Sequence, residues 1–184
     1  MNDSDATVPP EQLRVMQIIA GALPLGLICF LAIVLVLGGG QQQQQPVPGL
    51  PMVSLVAAAG FVGCVLLSFI FPSAITRTGL RQIVDGTWKE PEGVKSEPVS
   101  STPAKLLSLR QTTMIVGLAP LEGAGFFGCA AYLVEHQVAV LSIAGVAILL
   151  MLLRFPTAGR VSAWLEQQAA VLLDMQRAKD LGTR

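Results

Sequence analysis

Between Val15 and Thr76 the chain runs through 62 consecutive residues without one Asp, Glu, Lys or Arg. A water-soluble core cannot hide such a run, because soluble domains carry about 25% charged residues spread along the chain. Here only 13% of 184 residues are charged and 52% are hydrophobic. The expected solvent is therefore a lipid bilayer. With 12 bases against 12 acids and no basic cluster interleaved with aromatics, a nucleic-acid partner is not expected.

A helix needs about 20 apolar residues to cross about 30 Å of hydrocarbon, where its backbone groups can be satisfied only internally. Four segments fit: Val15 to Leu37, Met52 to Phe71 ending at Pro72, Thr112 to Val134, and Val138 to Phe155 stopping at Pro156. The fourth is the shortest. The first is expected to be a retained helix rather than a signal peptide, since Asp3, Asp5 and Glu11 stand where a basic region would be needed and the apolar run is too long. Cys29, Cys64 and Cys129 all fall inside spans, which argues against a disulfide framework or a zinc site and reads as packing. No cofactor is expected.

Lys and Arg accumulate on cytoplasmic loops. The connection from Gly38 to Pro51 has no charge, and the one between the last two spans holds only Glu135 and His136. The central connection carries Arg77, Arg81, Lys89, Lys95, Lys105 and Arg110; Arg14 precedes the first span, and Arg154, Arg160, Arg177, Lys179 and Arg184 lie at or beyond the end of the fourth. Both termini are accordingly expected in the cytoplasm, with the protein multi-pass in the cell (inner) membrane. Gln41 to Gln45 then form a spacer in an outward loop.

The chain also repeats itself. Leu13, Arg14, Ile19, Gly21, Pro24, Leu25 and Phe30 recur 96 positions later as Leu109, Arg110, Ile115, Gly117, Pro120, Leu121 and Phe126. The second spans both end in Phe-Pro-Ser/Thr-Ala, at Phe71 to Ala74 and Phe155 to Ala158, with an offset of 84 that fits a shorter outer loop. The expected fold is all-α, with four transmembrane helices as two tandem hairpins in parallel orientation, plus a cytoplasmic amphipathic C-terminal helix. Its parts are a disordered N-terminus (1–12), a first hairpin with an amphipathic segment (13–84), a flexible linker (85–106), a second hairpin (107–156), and a C-terminal helix and tail (157–184).

After Pro72, Thr76, Leu80, Ile83 and Val84 share one helical face with Arg77 and Arg81 on another, the pattern of a helix lying in the inner interface. From Thr157 to Ala178, Val161, Trp164, Leu165, Leu172 and Met175 form a single stripe. That stripe is expected to dock on the bilayer or on the first amphipathic segment. A partner protein is the other use of such a helix.

Glu122 is the one residue that points to chemistry. It falls roughly mid-bilayer at about 1.5 Å per residue, where a carboxylate costs several kcal/mol. Such groups carry protons or cations when burial raises their pKa. The structural alternative is a protonated side chain bonded to a carbonyl freed by Pro120 or to a Ser or Thr on a neighbouring helix. Pro24 and Pro120 are expected to kink their helices by freeing the carbonyls of Ala20 and Val116. Gly123 to Gly128 spells G-x-G-x-x-G, but inside a span it lacks the strand a dinucleotide fingerprint needs. Instead Ala119 with Gly123, and Ala124 with Gly128, make small-xxx-small faces, as do Ala59 and Gly63; Gly21 and Gly117 are further close-approach positions. Self-association or a membrane-protein partner is the expected use of these faces.

A duplicated hairpin with one mid-membrane glutamate resembles the proteolipid ring subunits of rotary ATPases in architecture. That family places its acid on the second helix of the hairpin, whereas Glu122 stands on the first, so no functional residue is carried over. The expected function is structural, scaffolding or accessory, without enzymatic activity. A small proton or cation channel or transporter component using Glu122 is the alternative.

Overall fold

The computed structural model describes residues 10–39, 52–88 and 102–182. They form α1 (Pro10–Gly39), α2 (Met52–Val84), α3 (Thr102–Glu135), a 3-10 turn (Val138–Val140), α4 (Leu141–Leu153) and α5 (Ala158–Gly182), with no strand among the described residues. The glutamine tract, most of the linker and residues 1–9 lie outside the described residues. The helices α1, α2 and α3 are each long and apolar enough to cross a membrane; the segment Val138–Leu153 meets that test only together with α5, as a broken pair.

At one of the two Phe-Pro motifs the helix boundary differs from expectation. The helix expected to end at Pro72 continues through it to Val84. A proline inside a helix deprives the carbonyl four residues earlier of its donor, here that of Ser68. That carbonyl instead accepts from Arg154 Nη1 at 3.1 Å, so the helix passes the proline without an orphaned acceptor. The fourth apolar segment stops before the repeat-equivalent Pro156, as expected, but its first three residues form the 3-10 turn, so α4 has 13 residues, about 20 Å of rise. α3 begins at Thr102, with Pro103 in its first turn, where a fixed φ and missing N–H are tolerated.

The chain divides into two compact units. One, residues 18–71 and 115–155, contains only three charged residues, Glu122, Glu135 and Arg154. Its core is Leu27 and Val34 of α1, Ala57 of α2, Leu118, Leu121, Cys129 and Tyr132 of α3, and Ile143, Ala144, Ala147 and Met151 of α4. α3 is the central element: half of its most apolar window is buried, against 22% for α1 and 17% for α2. Phe30 meets Phe126 edge-on, with ring centroids 5.1 Å apart.

The other unit comprises 1–17, 72–114 and 156–184. Met16, Leu80, Leu106, Leu107, Leu109 and Met114 are buried there with Val161, Leu165 and Leu172 of α5. The stripe expected on the C-terminal helix is thus covered by the protein's own segments, Trp164 and Met175 being half-buried. Arg110 stacks on Trp164, 5.1 Å from the ring centroid, and Gln17 donates to the carbonyl of Pro156 at 3.3 Å.

Candidate functional site

Two of the three charged side chains in the apolar unit, Glu135 and Arg154, meet backbone. Glu135 ends α3, and the chain turns there because His136 adopts a left-handed φ of 53° and donates its N–H to the Tyr132 carbonyl at 2.7 Å, an αL cap. Histidine is among the side chains more often found at positive φ. The Glu135 carboxylate then accepts from the N–H groups of Val53 and Ser54, at 2.7 and 2.9 Å, and from the Ser54 hydroxyl. These N–H groups lie in the first turn of α2, which has no intrahelical acceptor for them. An anion at a helix N-terminus is further favoured by the helix dipole. Glu135 therefore fastens the end of α3 to the start of α2.

Arg154 performs the reciprocal task at the far end of α4. Its Nη1 donates to Ser68 O and also to Gly117 O, at 3.1 and 3.2 Å, and its guanidinium lies 4.1 Å from the Phe69 ring centroid. One cation thus joins α2, α3 and the end of α4. In the sequence Arg154 reads only as a marker of orientation. The signal that could have found it is the donor missing at Pro72, which obliges some other group to serve Ser68 O.

Glu122 is different. It stands on α3 two residues past Pro120, half-exposed, and makes no hydrogen bond or ion pair with the described residues. Neither the carbonyl freed by Pro120 nor a Ser or Thr hydroxyl compensates it. Its Oε1 lies 3.7 Å from where a Cβ on Gly26 would sit, so the carboxylate lies against α1 at Gly26, at a distance that even a Cβ there would tolerate. Among the described residues no group of three or more His, Cys, Asp or Glu could hold a metal ion.

The small residues separate into two sets. A Cβ on Gly128 would meet Ile143 Cβ at 3.0 Å and the Val140 carbonyl at 3.4 Å, and Ala124 is buried. Gly21 lies 4.0 Å, by the same construction, from the Phe155 ring, and Gly117 is buried beside Arg154. Ala119 and Gly123 instead face outward, with nothing near Gly123. Pro24 is buried and Pro120 half-buried, both inside continuous helices.

No protein family, curated protein or solved structure matches this chain. The functional reading therefore rests on these side chains.

Proposed function

We propose that this chain is a multi-pass protein of the cell (inner) membrane with both termini in the cytoplasm, serving a structural, scaffolding or accessory-subunit role without catalysis. The observation that carries this reading is the use of Glu135 and Arg154: two of the three charged groups in the apolar unit bind backbone and join helices, which is the work of a scaffold. Fourfold spanning requires Val138–Leu153 to reach across with the help of the break before α5. The tandem duplication is supported by two pairs of repeat-equivalent residues lying together, Phe30 with Phe126 and Gly26 with Glu122, as a pseudo-twofold axis between α1 and α3 would require.

One observation favours the second reading, a proton or cation pathway: Glu122 is the charged residue of this unit that no helix-joining contact consumes. Reconstituted vesicles separate the two. Vesicles holding the wild type should pass no more protons or cations than empty ones. Flux that disappears in Glu122→Gln would overturn the scaffold in favour of transport.

A further inference from the structure

Arg77, Arg81 and Arg110 are left without acidic partners among the described residues, while Arg177 and Lys179 farther along the chain are paired. Past Pro72, α2 buries or half-buries Ile75, Thr76, Gly79, Leu80, Ile83 and Val84, and exposes Arg77, Thr78, Arg81 and Gln82. Arg77 and Arg81 are one turn apart on that outward face. Leu109 packs onto α2 at Gly79, where a Cβ would come within 2.6 Å of its Cδ1. Arg110, the next residue, therefore stands at the level of Arg77 and Arg81, held by the Trp164 ring. Neither Arg77, Arg81 nor Arg110 pairs with a carboxylate among the described residues, whereas Lys179 binds Asp85 at 2.9 Å and Arg177 approaches Asp174 at 3.8 Å.

We propose that Arg77, Arg81 and Arg110 form a binding band for the headgroup phosphates of anionic phospholipids, resting on the membrane reading above. A guanidinium presents a planar fork that matches phosphate oxygens in pairs. Depth agrees with this ligand. Ile70 and Phe71 are exposed on α2, and Arg77 follows Phe71 by six residues, about 9 Å of rise, which carries its head from hydrocarbon into a headgroup layer about 5–7 Å deep with the reach of a snorkelling side chain. Trp164 at the same level suits an interfacial aromatic.

The test is native mass spectrometry of the full chain released from mild detergent, offered phosphatidylglycerol and phosphatidylcholine with identical acyl chains. Wild type should retain phosphatidylglycerol preferentially, by about fivefold for each arginine engaged, less so at high salt. Arg77→Gln/Arg81→Gln/Arg110→Gln should lose the preference, and the corresponding triple Lys variant should keep part of it, since charge remains but the fork is gone. Equal retention of the two lipids by wild type, or an unchanged preference in the Gln variant with helix content intact, would overturn the band. Displacement by inorganic phosphate would assign the arginines to a soluble anion instead. Should the Gln variant unfold, the single Arg77→Gln variant, on an exposed residue, reads the same ratio. Loss of the protein from the membrane fraction would sink the membrane reading itself, whereas a membrane-inserted protein without lipid preference overturns only the band.

Discussion

A single guanidinium explains how α2 passes a proline, and that claim can be isolated by a double-mutant cycle. Arg154→Met should cost about 1–3 kcal/mol, the penalty of leaving an acceptor unserved, as a lowered thermal midpoint in detergent. In a Pro72→Ala background residue 72 regains an N–H for Ser68 O, so the same Arg154 change should cost distinctly less; the residue is the contact to Gly117 O. Equal costs in both backgrounds would refute the role. Glu135 invites the parallel test. Glu135→Ala should lower the midpoint more than Glu135→Gln, because the amide oxygen still accepts from the first turn of α2 while alanine leaves those N–H groups bare. Glu122, by contrast, has no bond to lose, so Glu122→Gln should leave the midpoint unchanged or raise it. A marked fall would reveal a compensating contact. None of these roles was legible from residue type: an arginine before Phe-Pro and a glutamate after an apolar run read as topology markers, since the backbone atoms they serve lie 37 to 86 residues away in sequence.

Elements show where periodicity suffices as a guide and where it does not. The face of Thr76, Leu80, Ile83 and Val84 turned inward as its spacing required, and Val161, Leu165 and Leu172 of α5 are buried, because amphipathic spacing states which side must be covered. Helix ends were less legible. Pro72 and Pro156 share a motif, yet one is passed and the other stops its helix; at the first, Arg154 from another helix end serves the Ser68 carbonyl that the proline leaves without its donor. Small-residue spacing was ambiguous too, since Ala119–Gly123 and Ala124–Gly128 look alike in sequence but face opposite ways. Substitution should separate them. Gly128→Ala should destabilise by about 1–3 kcal/mol through overpacking, its neighbours being Ile143 Cβ and a backbone carbonyl. Gly123→Ala should be neutral or stabilising by up to about 1 kcal/mol, as helix propensity predicts where space is open. Thermal unfolding of the two variants side by side measures the contrast, and equal destabilisation would contradict the packing described.

At the scale of the whole chain, the division into two compact units coincides with the distribution of charge. The unit built from 18–71 and 115–155 keeps three charged residues, and every other charge falls in the remaining segments. Because unpaired Lys and Arg resist translocation while Asp and Glu contribute little, this partition predicts orientation without reference to any homologue. The bases flanking α1, α2 and α3 stand at one end of each apolar stretch: Arg14 before the first, Arg77 and Arg81 after the second, Lys105 and Arg110 before the third. Three successive crossings put all of them on a single side only if the chain alternates, and their order along the sequence, before, after and before, is the one that alternation requires. A reporter active solely outside the cytoplasm, fused after Gln45, should therefore be active, and the same reporter after Lys95 should be silent. The fourth crossing is decided separately, since α4 alone is short: silence after Lys179 means that the chain has returned to the cytoplasm, and activity there would leave three crossings and place α5 outside. Moving the bases provides the causal check. Arg77→Gln/Arg81→Gln combined with two lysines inserted in the uncharged connection after Gly38 should weaken the bias, and partial activity after Lys95 would show that these arginines set the orientation.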